Sequence, residues 1–299
     1  MSALSQIPEH FVTEFANNWD FLVQQKTDRL KSLCLVDRVK GKEKSYNQLG
    51  VIEMARVTSR SGETRFTDTP LYKRWLRPLP YDLATLFDEW DSEFLGEIVL
   101  PTSETVQGHG MAYGRACDDV IIAAATADAY TGETGTATTA LPSGQLVAVN
   151  YVESGSAANS GMTIGKLRAA KYILDGNEVD PDEDRFIALS AKQVQDLLRS
   201  TEVTSDDYNT VKALVDGKID TFMGFKFVRT QRLALSSGDI RTCFAWVKSG
   251  LRFSDAGRTT RMDVRADRSH SLQIRTTAAL GATRTEEKKV VNIACDESP

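Results

Sequence analysis

The chain has 299 residues, 41% of them hydrophobic, enough to build a core for one large domain or two ordinary ones. A formal net charge of −5 excludes a general nucleic-acid binder, which needs a basic surface against phosphates. The cysteines Cys34, Cys117, Cys243 and Cys295 are far apart with no C-x-x-C, and no apolar run has the length of a bilayer span, so the chain reads as reduced, soluble and unexported.

Between Pro8 and Leu33, Phe11, Phe15, Trp19 and Leu22 recur at helical spacing among polar residues. That pattern predicts an amphipathic helix, which packs either on its own domain or on another subunit. From Ser45 to Asp82 the pattern becomes strand-like. Two arms, YNQLGVIEMARV and LYKRWLRPLPYD, flank a polar tip with Gly62 and Pro70, the signature of a long hairpin. Residues Arg56 to Arg77 hold six bases (Arg56, Arg60, Arg65, Lys73, Arg74, Arg77) and two acids (Glu63, Asp68), a balance of +4. Residues Asp82 to Glu97 hold six acids (Asp82, Asp88, Glu89, Asp91, Glu93, Glu97) and no base. Such runs are either solvated faces or complementary surfaces between identical chains.

A helical pattern opens at Thr102 and runs to about Asp128, roughly 40 Å at 1.5 Å per residue. Val106, Tyr113, Cys117, Val120, Ile121 and Ala124 form its apolar stripe, which makes Cys117 a small buried hydrophobe. Arg115 and Asp119 have the spacing of a surface ion pair, and Gly108, Gly110 and Gly114 mark a close approach or a bend. From Thr163, a helix (TIGKLRAAKYILDG), a short strand (RFIAL), a helix with a capping box at Ser190 and Gln193, a helix through Tyr208 to Val215 and a strand (GFKFVRT) alternate. FAWVKSGLRF, RMDVRA, SLQIRTTAALGA and KKVVNIAC close the chain as strands.

Little of this is chemistry. His10, His109 and His270 have no ligand spacing, and Asp267, Ser269 and His270 are too close in sequence for a triad assembled from separate elements. Asp180, Asp182 and Asp184 match the first calcium-loop ligands, but Arg185 replaces the turn glycine and Ala191 the bidentate glutamate. The loop YTGETGTATTALPSG lacks a phosphate-binding lysine. No catalytic, metal or cofactor residue is assigned, and the chain reads as a non-enzyme.

Read whole, the sequence resembles the major capsid protein of tailed bacteriophages, from Phe11 to Cys295. The likeness is carried by DTPLYKRWLRPLPYDLATLFDEWD, GRACDDVIIAAATADAYTGETG, LDGNEVDPDEDRFIALSAKQVQDLL, STEVTSDDYNTVKALVDGKIDTFMGFKFVRTQRL and GATRTEEKKVVNIAC. It implies the α+β coat fold shared by tailed phages and herpesviruses. Residues 1–44 would form an N-terminal arm, 45–82 an extended β-hairpin loop, and 83–162 a peripheral domain with a spine helix at 102–128. Residues 163–235 would form an axial α+β domain, and 236–299 the return strands of the peripheral domain. It also implies pentamers and hexamers closing into an icosahedral head around double-stranded DNA held weakly, a portal, possible decoration proteins, and assembly in the bacterial host cytoplasm without a membrane. An arm starting near Met1 points to a separate scaffolding protein. Contact candidates between subunits are Phe11, Phe15 and Trp19 of the arm, and Arg65, Lys73, Arg74 and Arg77 against Asp88, Glu89, Asp91 and Glu93. A cellular nanocompartment shell of the same fold is the nearest alternative; a small-oligomer hydrolase is the more remote one.

Overall fold

The structure is a computed structural model that describes residues 21–56, 58, 60, 62–64, 66–88, 102–199, 221–236 and 238–298. The helices predicted around Phe11–Trp19 and Tyr208–Val215 lie outside them. The chain divides into two compact units: Met1–Thr27, Pro80–Arg115 and Gly257–Ala278 in one, and Asp28–Leu79, Ala116–Ala256 and Ala279–Pro299 in the other. The architecture is α+β.

The second unit is organised by a seven-stranded sheet. Its strands are β7 (Leu146–Val147), β8 (Arg185–Leu189), β9 (Thr221–Phe222), β10 (Phe225–Arg229), β11 (Leu235–Ser236), β12 (Ile240–Val247) and β15 (Val290–Asp296). The order is β7-β15-β12-β8-β10-β9, with β11 on β12. Central strands buried on both faces need continuous apolar runs rather than alternation, and RFIAL, CFAWV and VVNI supply them. Phe244 and Trp246 stack with ring centroids 4.8 Å apart, and Phe186 lies 5.6 Å from Trp246. Helix α2 (Ile164–Gly176) starts where Thr163 accepts the Lys166 N–H, and helix α3 (Ala191–Leu198) carries the expected capping box at Ser190 and Gln193.

A smaller sheet in the same unit runs β2-β3-β5-β6, from β2 (Lys44–Leu49), β3 (Leu71–Leu76), β5 (Ala129–Thr131) and β6 (Ala137–Thr139). Strands β2 and β3 pair antiparallel from Lys44↔Leu76 to Leu49↔Leu71. Gly50 then donates to the Pro70 carbonyl at 2.8 Å. A Cβ at Gly50 would meet Pro70 at 2.4 Å, so glycine lets the two arms close. Beyond that bond no described residue up to Pro70 is in a strand.

A third sheet has the order β1-β13-β14-β4, from β1 (Leu35–Asp37), β4 (Leu79–Phe87), β13 (Leu251–Arg265) and β14 (Ser271–Arg284). Helix α1 is Thr102–Thr126. Within the first unit, buried His109 of α1 bridges Thr85 Oγ1 of β4 at 2.9 Å and Thr276 Oγ1 of β14 at 3.0 Å. Burial, and secondarily the charge of Arg258, holds its pKa below the ordinary histidine value. Gly110 is the close approach expected on this helix: a Cβ there would lie 2.6 Å from Arg258.

Candidate assembly surface

Of the predicted contact residues, Lys73, Arg74, Arg77 and Asp88 are described; Phe11, Phe15, Trp19, Arg65, Glu89, Asp91 and Glu93 lie outside the described residues. Strand alternation separates the three hairpin bases. Arg74 turns inward, is buried, and pairs with Glu287 at 2.8 Å. Arg77, just past the strand, pairs with Glu43 at 3.0 Å, donates to the Gly135 carbonyl at 3.0 Å and lies over the Tyr130 ring. Lys73 forms no ion pair among the described residues. It lines a cavity of about 450 Å³ with Asn47, Leu71, Tyr72 and Glu133. Asp88 is exposed in the other unit.

Other contacts fix the hairpin root further. Trp75 donates to the Gly132 carbonyl at 2.7 Å, and Gln48 to the Thr285 carbonyl at 2.5 Å. On β2, the Tyr46 hydroxyl donates to Asp37 at 2.7 Å while Arg252 donates to the same carboxylate at 2.6 Å. That hydroxyl holds the Asp37 carboxyl below its usual range, and burial pushes the Tyr46 hydroxyl up to about 12. Past the root the picture inverts. Leu49, Val51, Met54, Phe66 and Leu71 are exposed, Met54 and Phe66 at 102% and 94%. Five large apolar side chains are thus exposed along one hairpin.

Four charged side chains of the second unit, three of them buried and Glu297 half-buried, hold backbone and side-chain groups in place. Asp118, fully buried on α1, accepts the backbone N–H groups of Arg29 and Leu30 at 3.0–3.1 Å and so fixes the backbone at Arg29 and Leu30. Arg284 donates to the carbonyls of Ala124, Ala125, Ala127 and Thr139, capping the C-terminus of α1 with a cation. Lys166 gives its three ammonium hydrogens to the carbonyls of Val149, Ser160 and Ala294 at 2.7–2.9 Å. Near the chain end, Glu297 accepts from Ser190, Gln193 and Arg241, joining the capping box of α3 to β12. Only the capping box was visible as a local pattern. One expectation is corrected: Asp119 pairs with Arg232, and Arg115 binds Gln24 and the Gln25 carbonyl instead. The i,i+4 bond is worth only a few tenths of a kcal/mol (~0.3) and loses to a bidentate arginine.

The residues tested for chemistry remain scattered. All four cysteines are buried thiols, with Cys34 pushed up to about 12, chiefly by burial. Ser269 and His270 occupy left-handed turn positions with φ of 48° and 56°, and Asp267 is held by Arg265 at 2.7 Å. Asp184 pairs with Lys226, Asp180 accepts the Asp182 N–H, and no group of metal-ligating side chains occurs among the described residues.

The described residues thus combine a pinned hairpin root with exposed apolar side chains beyond it. Residues 7–297 match the phage capsid protein family, and the chain belongs to it. It is a structural protein of the phage shell, located in the virion capsid. No curated protein matches the sequence. Among solved structures, the capsid of cyanophage P-SCSP1u superposes with a TM-score of 0.73 at 14% identity, covering 97% of this chain and 94% of that one. A chain from Mycobacterium phage Che8 gives 0.69 at 17% identity, covering 96% and 98%. The capsid of a native GTA particle gives 0.73 at 9% identity, covering 99% of each. At these identities the likeness is one of fold: the coat fold expected from the sequence.

Proposed function

We propose that the protein assembles as pentamers and hexamers into an icosahedral head that encloses double-stranded DNA. The observation that carries this reading is the exposed apolar tip of the β2–β3 hairpin, which a copy of the same chain would cover in every subunit at once. The segments keep the roles expected of them: residues 1–44 as arm, 45–82 as extended loop, 83–162 and 236–299 as peripheral domain, and 163–235 as axial domain. Arg65, Lys73 and Arg77 face the acidic run around Asp88, Glu89, Asp91 and Glu93 of a neighbour, while Arg74, buried against Glu287, stays within its own chain, and Phe11, Phe15 and Trp19 dock on another subunit. Because Arg74 and Arg77 already have carboxylate partners at home, Lys73 supplies the larger share of that contact. DNA is held weakly, as a mildly acidic shell favours for packaging and release. A scaffolding protein and a portal complete assembly in the host cytoplasm.

Electron microscopy of the purified chain tests the reading. Closed particles with five- and six-fold rings are expected; a monodisperse dimer would overturn it.

A further inference from the structure

The distal β13–β14 hairpin lies wholly in the first unit, where its two faces differ. Thr260 and Thr276 touch through their hydroxyls at 3.0 Å, on the face where Thr276 also meets His109. Strand alternation puts Arg261, Asp263 and Arg265 on the opposite face, and all three are exposed. The Thr260–Thr276 contact also sets Arg261 across from Arg275, and like charges directly opposite weaken a strand pair. Arg275 is answered by Asp82 at 3.1 Å and Arg265 by Asp267 at 2.7 Å. Neither Arg261 nor Asp263 forms a hydrogen bond or ion pair among the described residues.

We infer that this face is a two-fold contact between copies of the chain, with Arg261 of one copy on Asp263 of the other and the reverse. Opposite charges at i and i+2 on one strand face stand about 6.7 Å apart. An axis passing midway between them brings each onto its opposite in the mate, so the patch is self-complementary, as an isologous interface requires. The proposal rests on the shell reading: rings are built from head-to-tail contacts, and joining ring to ring across a two-fold needs a different, self-matching surface. Interleaved acids disfavour a polyanion here, because Asp263 sits between Arg261 and Arg265 on the same face.

The test uses the full chain with Arg261→Asp, with Asp263→Arg, and with both. Each single reversal sets like charges across the axis and should cut the yield of closed particles about tenfold or more, with rings still forming. The double reversal restores the match and the yield. Arg261→Asp also removes the clash with Arg275, so its thermal midpoint should hold or rise while assembly falls, a split that simple misfolding does not produce. Arg261→Cys with Asp263→Cys should give disulfide-linked dimers in particles treated with diamide, against a background of buried native thiols. Single reversals that close particles normally, a double reversal no better than either single, or loss of DNA retention with closure intact would each overturn the contact. If the unaltered chain forms no particles, the shell reading fails by itself. The diamide experiment then decides the contact on the soluble protein, where dimers keep it and monomers alone remove it.

Discussion

The seven-stranded sheet and the β2–β3 hairpin solve the same problem in opposite ways. In the sheet, Phe186, Ile187, Phe244, Trp246 and Ile293 are at most 5% exposed, and even the last residues of the chain are tied in through Glu297. The hairpin has its root pinned by Arg74, Trp75 and Arg77 and then extends Val51, Met54 and Phe66 into solvent. One region buries its apolar surface within the chain; the other leaves large apolar side chains exposed. Substitutions in the first should therefore destroy the protomer, and those in the second should spare it.

The largest effect is expected at the sheet. Trp246→Ala removes a fully buried indole that packs on two phenylalanines and donates to the Leu33 carbonyl, and should cost about 4 kcal/mol in chemical denaturation. A loss below about 1 kcal/mol would mean that the sheet is not the self-sufficient half. Arg284→Met comes next. It leaves buried carbonyls at the C-terminus of α1 without a donor, a loss of about 2–3 kcal/mol readable as exposure of residues 124–127 to hydrogen exchange. Glu297→Ala frees the partly buried Arg241 and removes an acceptor from the Ser190 and Gln193 side chains of the α3 capping box, at a cost of about 2 kcal/mol.

Acid should act on the same protomer contacts. Glu297 is held below its ordinary value of 4.5; burial opposes this and the Arg241, Gln193 and Ser190 hydrogen bonds outweigh it. A depressed carboxylate contributes stability that is complete above the unfolded value and lost as pH falls through the folded one. His109 also has a lowered pKa, from burial first and Arg258 second. For a base the unfolded state then takes the proton first, so stability starts to fall below about pH 6.5 and levels off once the folded histidine is protonated. Thermal midpoints between pH 7 and 3 should show two acid steps, the upper absent in His109→Gln and the lower reduced in Glu297→Gln, with the remainder left to carboxylates such as Asp37 that are also held low.

How much of this was legible depends on the range of the interaction. Thr163 as a cap, the Ser190–Gln193 box, the RFIAL strand and the stripe with Cys117 are set by residues within a few positions, and their patterns could be read directly. Asp118 reaches Leu30 across 88 positions and Arg284 reaches Ala125 across 159, so neither leaves a local trace. Both look like surface charges until the fold brings backbone groups to them. Asp119 shows the converse, a local pattern overruled by Arg232, 113 positions away. Only the root of the hairpin was readable, from alternation: the expected first arm stops pairing at Leu49, Pro70 closes the root rather than the tip, and Leu79–Asp82 of the expected return arm belong to β4 of another sheet. Its bases could be counted there but not sorted, since inward and outward positions on β3 follow from the strand's register with β2 and β5.

The smallest effect on the protomer is expected at the tip, and it tests the comparison most severely. Met54→Ser with Phe66→Ser removes side chains that are 102% and 94% exposed and touch nothing that holds the chain together. Stability should move by no more than about 0.5 kcal/mol. If the tip exists to be covered by a neighbour, the same two changes should nevertheless abolish closed particles in sedimentation and leave a folded, soluble protomer. A control at Lys73 separates greasy contact from charge: Lys73→Glu should weaken assembly more at low salt than at high, because an exposed ion pair is screened and an apolar one is not. Particles that close normally with a polar tip would show that the hairpin carries its apolar residues for another reason, and the contrast between the two regions would lose its meaning.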